Sequence, residues 1–388
     1  MNVRAILISV GAAAGLAGVA AAQMPGYWVV PRGGAAAARA WGVSNGGTRA
    51  GTTLFFSASV PQRAAVDGVD GSRALVPQIA GLEDTILAGL SADGGFAAVT
   101  HYGAVGALES RVGLFGLDGT HVLLPEIPGE EYEQALAISS DGSTIVGYGK
   151  RGTQLAERHQ PFMWSQAGGM RALGHPRPGG TWTDGRGVSA DGAFVVGSTV
   201  TGPLLGNVSE AFVWSAAAGY TILPEFLPPS QQPGTAALAV SGDGRVIVGT
   251  TTANAQPDFP SLALRWVDGV PTDLGSLPGY TDFNAYQVDD GGGVILGKAK
   301  LFGAPDRLFV WTEPDGMRFA DDYFASFGVA LPGVVSNITD MSPDGRSFSV
   351  TFAGLSGSYI VTVPGPASAL VVGVAVGFRV LRRRHRTS

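Results

Sequence analysis

Short apolar runs separated by polar turn residues return along the chain at nearly constant spacing. At 237–250 the segment ALAVSGDGRVIVGT places two apolar runs on either side of Asp243-Gly244. This pattern is typical of a β-hairpin, and it occurs seven times in all, at intervals of 48, 48, 50, 52, 48 and 53 residues. The first turn residues are Asn45, Asp93, Asp141, Asp191, Asp243, Gly291 and Asp344. We interpret each as opening a two-residue type I′ turn, because Asp, Asn and Gly tolerate the positive φ that both turn positions require.

Two further kinds of apolar segment follow each hairpin. One carries an aromatic residue, as in AFVWS at 211–215, and the other follows a glycine, as in GYTILP at 219–224. Short apolar runs with turn residues about every 8–12 positions are typical of all-β folds. A repeat of about 50 residues with four strands predicts the blade of a β-propeller, so the seven repeats predict a seven-bladed ring.

The seventh repeat lacks the glycine-led segment. Its third strand is SYIVTV at 358–363, and Pro364 follows at once. The segment GYWVVP at 26–31, ahead of the first repeat, is an additional copy of the missing strand. A blade without its fourth strand exposes unpaired backbone groups. We therefore expect residues 27–30 to pair beside residues 359–363 and to close the ring.

Tryptophan recurs in the aromatic strand of four repeats. These rings could form a sugar-binding surface, or they could fill the widening space between stacked sheets. The second interpretation is favoured, because large aromatic side chains dominate the packing of cores. The four residues are Trp164, Trp214, Trp266 and Trp311.

The N-terminal segment has the features of a secretion signal. Residues 1–22 contain Arg4, then an apolar run, then small residues that end in Ala20 and Ala22. This is the arrangement of a cleavable signal peptide, which predicts export and a mature chain that begins at Gln23. The propeller domain is then expected over 23–363, with a separate tail at 364–388.

The tail combines a short apolar segment with a basic end. Residues 367–381 would form a helix of about 22 Å at 1.5 Å per residue. That is shorter than the roughly 30 Å hydrocarbon core of a bilayer. A strained transmembrane anchor and a processed sorting tail are both compatible with this length, and the processed tail fits better. The five arginines of the tail, Arg379, Arg382, Arg383, Arg384 and Arg386, are expected to stay on the cytoplasmic side.

This tail resembles the PEP-CTERM sorting tail of bacterial exported proteins. The matching residues are Pro364, Gly365, Pro366, Ala367, Ser368, Arg382, Arg383 and Arg384. Gly365 stands where the family motif has Glu. The resemblance implies recognition by a membrane exosortase, and association with the cell envelope and extracellular polysaccharide.

The repeat itself is similar to the HAF-type extracellular repeat of exported bacterial proteins. The matching pattern is a Ser-x-Asp-Gly hairpin ending in Val-Gly, followed by a Phe-x-Trp strand and a Gly-led strand, clearest at 185–224. The copies at 286–300 and 338–350 are degraded. The resemblance implies an extracellular location and no defined enzymatic activity.

Charge and residue usage exclude several functions. The formal charge is −6 at pH 7, and Arg4 with the five tail arginines contributes +6, so the segment between them carries −12. Nucleic-acid binding needs clustered Lys and Arg, so it is not expected. With no cysteine, disulfides and zinc-thiolate sites are impossible. The HExxH motif is also absent, which disfavours a zinc hydrolase.

No cofactor is expected, and calcium is the one alternative. The repeated Asp residues are explained by turn chemistry. Better candidates are PGEEYEQ at 128–134, with Glu130, Glu131 and Glu133, and DGVDG at 67–71. Neither has the full spacing of a calcium loop, and calcium takes about 6–8 oxygen ligands. Solvated turns are the favoured interpretation of both segments.

Two functions are compatible with the sequence. The favoured one is an exported, non-catalytic module that binds extracellular polysaccharide or an envelope protein. The alternative is a secreted glycan-active hydrolase with turns like the Asp-box of sialidase-type propellers. A hydrolase needs two carboxyl groups roughly 5–10 Å apart, and the sequence does not place Glu130 or Asp322 relative to another carboxylate.

Overall fold

The computed structural model of the protein describes residues 26–364, apart from 33, 57–59, 104–108, 152–157, 179, 181, 202–207, 227–233 and 252–259. The predicted signal peptide and the sorting tail from Gly365 onward lie outside the described residues. The described residues form 28 strands and one short α-helix. In this part of the chain, no helix is long and apolar enough to span a membrane.

The strands are organised in groups of four, here called units 1 to 7. Within each unit the first strand pairs with the second, the second with the third and the third with the fourth, all antiparallel. Units 3 and 4 share one eight-stranded sheet through a single parallel bridge between His159 and Trp182. The grouping agrees with the four strands predicted for each repeat.

The first four units occupy the N-terminal half of the chain. Unit 1 consists of β2 (Ala37–Val43), β3 (Arg49–Phe55), β4 (Arg63–Gly68) and β5 (Arg73–Leu75). Unit 2 consists of β6 (Asp84–Leu90), β7 (Phe96–Tyr102), β8 (Ser110–Gly116) and β9 (His121–Leu123). Unit 3 consists of β10 (Tyr132–Ile138), β11 (Thr144–Arg151), β12 (Arg158–Ser165) and β13 (Gly169–Ala172). Unit 4 consists of β14 (Trp182–Val188), β15 (Phe194–Thr201), β16 (Val208–Ser215) and β17 (Gly219–Ile222).

The remaining three units complete the domain. Unit 5 consists of β18 (Thr235–Val240), β19 (Val246–Thr251), β20 (Ala263–Val267) and β21 (Val270–Asp273). Unit 6 consists of β22 (Asp282–Val288), β23 (Val294–Lys300), β24 (Arg307–Thr312) and β25 (Gly316–Phe319), and the helix α1 (Ala320–Ser326) follows it. Unit 7 consists of β26 (Val335–Met341), β27 (Ser347–Phe352), β28 (Tyr359–Thr362) and the N-terminal strand β1 (Gly26–Val29).

Strand β1 supplies the fourth strand of unit 7. It pairs antiparallel with β28, with Trp28 opposite Ile360 and Val29 opposite Tyr359. The indole Nε1 of Trp28 donates to the carbonyl of Gly47 in unit 1 at 2.8 Å. The predicted pairing of this segment is therefore present, with the strand beginning one residue earlier than expected.

The first strands of consecutive units lie next to one another. Each of them contacts the first strand of the following unit, and β26 of unit 7 contacts β2 of unit 1. The backbone N–H of Val43 in β2 donates to the carboxylate of Asp340 in β26 at 2.8 Å. The contacts between first strands therefore return to their starting point.

The hydrophobic core lies between the sheets of neighbouring units. One cluster joins Leu114 and Leu124 of unit 2 to Phe162 and Trp164 of unit 3. A second cluster joins Val196 of unit 4 to residues of unit 5 that include the fully buried Trp266. Trp214 is also buried, and Trp311 packs against a further cluster. These four tryptophans fill the space between sheets, as the favoured interpretation predicts.

The predicted turn geometry is wrong. A type I′ turn requires positive φ at both central residues, but in the five Asp-Gly turns only the glycine has it. In unit 4, Gly192 N donates to the carbonyl of Ser189, and Ser189 N donates to the carbonyl of Phe194. The connection is therefore a four-residue loop built on a tight turn. Its geometry is set by Asp191, whose carboxylate accepts from Ser189 Oγ and Ala193 N, both at 2.9 Å.

Two of the predicted turn pairs differ from the five Asp-Gly turns. In unit 1 Ser44 takes the serine position, so Asn45 lies one residue before the position that Asp occupies elsewhere. In unit 6 Asp289 replaces the serine and accepts from Gly293 N and Val294 N, both at 2.7 Å. Gly291 therefore occupies the Asp position without a carboxylate of its own.

Candidate binding site

Every first strand contains a β-bulge at the same place. In unit 4, for example, Gly185 and Gly187 pair with consecutive residues of β15, so Arg186 has no partner. A bulge leaves one residue out of the ladder and changes the direction of its side chain. The seven bulge residues are Trp41, Ala88, Leu136, Arg186, Leu238, Tyr286 and Thr339.

The seven bulge residues all line one cavity of about 330 Å³. We call this space the bulge cavity. Its wall is chemically uneven, because the equivalent positions carry a cation, an indole, a phenol, a hydroxyl and three apolar side chains. Sequence reasoning missed this site, since the position of a bulge depends on the register between two paired strands.

Closely approaching backbones explain the small residues beside the bulges. A Cβ on Gly187 would lie 3.0 Å from the Cα of Ala239 in unit 5, and one on Gly42 would lie 2.9 Å from the backbone N of Leu90 in unit 2. The residue after the bulge is Gly or Ala in units 1 to 5. Units 6 and 7 instead carry Gln287 and Asp340, and both line the bulge cavity.

The hairpin turns lie at one end of the bulge cavity, which Ser140, Asp290 and Pro343 also line. Backbone hydrogen bonds link each turn to the next, beginning with Asn45 N to the carbonyl of Ala92 at 2.8 Å. The links continue through units 2 to 7, and the last ones join Asp344 N to Asn45 Oδ1 at 2.9 Å and Gly46 N to Asp344 Oδ2 at 3.3 Å. Because these turns line the cavity and are hydrogen-bonded to one another, they fix the shape of that end.

A side-chain hydrogen bond connects two turns that are three units apart. Ser140 Oγ of unit 3 donates to Asp290 Oδ1 of unit 6 at 3.0 Å. Burial raises the pKa of Asp290, and the hydroxyl of Ser140 opposes that rise. The contact places the turns of units 3 and 6 within reach of each other across the end of the cavity.

The cationic group of the bulge cavity is held by a shared carboxylate. Arg186 Nη2 donates to Asp184 Oδ2 at 3.0 Å, and the arginine side chain remains 40% exposed. Asp184 also receives His159 Nδ1 at 2.9 Å and Trp182 Nε1 at 3.2 Å. His159 stacks between the rings of Tyr148 and Trp182. The guanidinium is therefore oriented by a buried carboxylate with several donors and keeps free donor capacity for a ligand.

The opposite wall of the bulge cavity carries a buried carboxyl group. Asp340 receives Gln287 Nε2 on one oxygen and Val43 N on the other. Burial raises the pKa of Asp340 to about 7. Within the described residues, Gln287 Oε1 and Trp41 Nε1 are buried without a hydrogen-bond partner. One acceptor and one donor on the cavity wall are thus left unsatisfied.

The predicted turn residues have structural roles. Asp93, Asp141, Asp243 and Asp344 each accept from a serine hydroxyl two residues earlier, as Asp191 does. The Ser91 hydroxyl lowers the pKa of Asp93, and the backbone N–H of Arg245 lowers that of Asp243. These carboxylates stabilise separate turns and form no shared array. The functional part of the pattern that sequence reasoning undervalued is the serine, which is buried in the turn.

The glutamates of PGEEYEQ line a second cavity, of about 470 Å³, which we call the acidic pocket. Its lining consists of Glu109, Ser110, Arg111, Glu126, Glu130, Glu131 and Glu133. Burial raises the pKa of Glu133 and of Glu130. Asp322, the other carboxylate considered for hydrolysis, is exposed on α1 and does not line this pocket.

In the second calcium candidate, DGVDG at 67–71, both carboxylates accept hydrogen bonds from neighbouring protein groups. In DGVDG, the buried Asp67 accepts from Thr52 Oγ1 and Arg73 Nε, and Asp70 accepts from the N–H and hydroxyl of Ser72. Among the residues that the structure describes, no group of three His, Cys, Asp or Glu side chains is close enough to hold a metal ion. Of the sorting motif, only Pro364 lies within the described range.

No protein-family model and no curated protein sequence matches the chain. Solved structures do match. The β-propeller domain of the Trilobed protease from Pyrococcus furiosus aligns with a TM-score of 0.56 and 11% identity, over 84% of this chain and 95% of that one. An oligogalacturonate lyase in complex with manganese aligns with a TM-score of 0.52 and 12% identity, over 89% of this chain and 98% of that one.

An acylaminoacyl peptidase from Pyrococcus horikoshii aligns with a TM-score of 0.54 and 11% identity over 85% of this chain. A prolyl endopeptidase aligns with a TM-score of 0.53 and 12% identity over 82% of it. The alignments cover 52% and 49% of those two chains, so this chain spans about half the length of the peptidases that it resembles. At such low identity the likeness concerns the fold alone. The chain has a mostly-β, propeller-like fold.

Proposed function

We propose that the chain is an exported, envelope-associated β-propeller that acts as a non-catalytic binding module for extracellular polysaccharide or an envelope protein. In this proposal the seven units are seven blades, and β1 closes the ring. The cyclic contacts of the first strands and the hydrogen bonds that return from Asp344 to Asn45 support this closure.

The observation that carries the binding role is the convergence of seven bulge residues on one cavity. Strand pairing requires only a bulge at these positions and does not select the side chain. Five of the seven following residues stay Gly or Ala, whereas the bulge residues include Trp41, Arg186 and Tyr286. Different polar groups at equivalent positions around a shared cavity support a ligand-binding role, because binding sites combine an apolar lining with a few polar groups that orient the ligand.

The chemistry of the bulge cavity favours a hydroxyl-rich ligand. Arg186 and Trp41 offer donors, and Gln287 offers an acceptor. A sugar residue suits this set, because each hydroxyl both donates and accepts. A volume of about 330 Å³ lies within the range of small-molecule sites, roughly 300–1,000 Å³. The cavity would hold one sugar residue or the end of a chain, with the rest of a polymer outside it.

A glycan-array screen of the mature chain, followed by calorimetric titration of the best binder, tests this role. We expect Trp41→Phe, which removes only the indole donor, and Arg186→Leu to weaken binding at least tenfold. Arg177→Leu is the matched control, because Arg177 is an exposed arginine paired with Glu210 away from the cavity. Unchanged affinity in both cavity variants would reject the bulge cavity as the site.

The envelope assignment has a separate test. Removing residues 382–388 takes away four of the five tail arginines that are expected to stay in the cytoplasm. We expect the protein to be released into the medium or mislocalised, and the exported form to begin at Gln23. Unchanged envelope association, or retention of Met1, would contradict the sorting proposal.

A reducing-end assay on the glycans from the screen tests the alternative of a hydrolase.

A further inference from the structure

The acidic pocket lies away from the bulge cavity and has no role in the function proposed above. It sits where unit 2 meets unit 3, since Arg111 belongs to β8 and Glu133 to β10. Arg111 Nη1 pairs with Glu126 at 2.7 Å, and Arg111 Nη2 donates to the carbonyl of Leu124 at 3.0 Å. Five glutamates and one arginine give the lining a strong negative excess.

Three buried polar atoms of this pocket have no hydrogen-bond partner within the described residues. They are Oε2 of Glu133, Oε2 of Glu130 and Nε of Arg111. Glu133 is only 1% exposed, and its other oxygen accepts from Ile127 N at 2.6 Å. A buried carboxylate oxygen without a donor is costly, so its retention needs a compensating contact.

We propose that the acidic pocket binds a primary amine that carries a hydrogen-bond acceptor close to its ammonium group. The ammonium supplies three donors, which matches the free oxygens of Glu130 and Glu133. The neighbouring acceptor of the ligand accepts a hydrogen bond from Nε of Arg111. Amino sugars and amino acids share this chemistry, and the test below distinguishes them.

The pocket fits an organic amine better than a metal ion. No three carboxylates in the described part of the chain converge closely enough for an ion, and calcium would need about 6–8 oxygens. The volume of about 470 Å³ is large enough for a ligand of many atoms. The unpaired N–H of Arg111 Nε can donate a hydrogen bond, and a metal ion has no acceptor for it.

Isothermal titration of the mature chain with a matched pair of ligands tests the proposal. Glucosamine carries the ammonium group, and N-acetylglucosamine has the same ring with a neutral amide. We expect glucosamine to bind and N-acetylglucosamine to bind at least tenfold more weakly. Lysine identifies whether an amino acid is preferred to the sugar, and either preference supports the shared chemistry. Binding of calcium chloride alone, with no binding of any amine, would overturn the proposal.

Glu133→Gln locates the site, because glutamine keeps the oxygen that accepts from Ile127 N and removes the charge. We expect this variant to melt like the parent and to lose at least tenfold in amine affinity. Glu313→Gln is the control, since Glu313 is an exposed glutamate outside the pocket. Both titrations are made in the Arg186→Leu background, in which sugar binding to the bulge cavity is expected to be weakened at least tenfold, so the remaining difference between the two sugars reports on the acidic pocket. Equal affinity in Glu133→Gln and the parent would contradict the proposal.

Discussion

Each first strand contains a bulge and leads into a turn, and these two regions differ in how much the seven units vary. At their turns the units repeat nearly one solution: in five units a buried serine and an Asp two residues later hold a tight loop, and units 1 and 6 each replace one of these two residues. A few residues earlier, at the bulges, the units share a backbone distortion but carry different side chains. The turn side chains are nearly the same in all units because the fold depends on their hydrogen bonds. The bulge side chains can vary without loss of the fold, and we therefore place ligand binding at the bulges.

The largest expected effect comes from removing β1, the strand that closes the ring in our proposal. A mature chain shortened to begin at Ala35 loses β1 and the buried Val30. Burying a Val is worth about 1.5–3 kcal/mol, and each ladder hydrogen bond about 0.5–1.5 kcal/mol. We expect a melting temperature roughly 10 °C lower and new protease cleavage at 359–363. A shortened chain that melts like the parent would show that β1 does not close the ring.

The second effect concerns Asp340, which lies between the turn and the bulge of unit 7. Its folded-state pKa, raised by burial to about 7, lies above the ordinary value of 3.8. Its contribution to stability is therefore present at acid pH and is lost as the pH rises through about 7. Between pH 5 and pH 8 this loss amounts to about 3 kcal/mol.

Asp340→Asn isolates this effect. Asparagine still accepts from Val43 N, and a rotated Gln287 amide can offer its free oxygen to the new donor. We expect the variant to lose most of the fall in melting temperature that the parent shows between pH 5 and pH 8. If the two pH profiles stay parallel, the ionisation of Asp340 does not cause the fall in melting temperature.

The third effect tests the turn itself. Ser189→Ala removes the hydroxyl that donates to Asp191 and accepts from Phe194 N. Ser189 is fully buried, and each of its two hydrogen bonds contributes about 0.5–1.5 kcal/mol, so the substitution should cost about 1–3 kcal/mol, to be measured by urea denaturation. The exposed Ser336→Ala should change stability by less than about 0.5 kcal/mol. Equal effects of the two substitutions would remove the special role of the turn serine.

The smallest effect is expected at a bulge. Leu238 is half-buried on the wall of the bulge cavity. Leu238→Ala should therefore cost only about 1 kcal/mol, less than Ser189→Ala, although it removes more atoms. A larger loss than at the turn would mean that the bulge residues serve stability, and the comparison between the two regions would fail.

Much of the fold could be predicted from the sequence, because the repeat reports its own period. The spacing of the Asp-Gly pairs located the hairpins, and the extra GYWV segment predicted the pairing of β1. Turn geometry could not be predicted from the pair alone, since Ser189 and the loop backbone decide whether Asp191 adopts positive φ. A real two-residue turn with positive φ at both positions occurs instead at Asp268-Gly269, between β20 and β21.

The bulge cavity could not have been found in the same way. Arg186 follows Gly185 in a run that reads as ordinary strand, and nothing local distinguishes it from a surface arginine. Its position depends on how seven distant segments converge, which is a property of the assembled chain. The acidic pocket was partly visible, because Glu130 and Glu133 stood out as a charged loop, but Arg111 joins them only through packing of unit 2 on unit 3.

A disulfide test addresses the closed ring most directly, because the chain has no cysteine of its own. Val29 and Tyr359 face each other across β1 and β28. They form a non-hydrogen-bonded pair, since the neighbouring Val30 N donates to the carbonyl of Ser358, and opposite side chains lie closest in such pairs, as a disulfide requires. The double variant Val29→Cys/Tyr359→Cys should oxidise within one chain, migrate faster on a non-reducing gel and melt at a higher temperature than its reduced form. The pair Val29→Cys/Val270→Cys, with the second cysteine in unit 5, should stay reduced. If the first pair also stays reduced, or forms only dimers between chains, the closed ring of seven units is wrong.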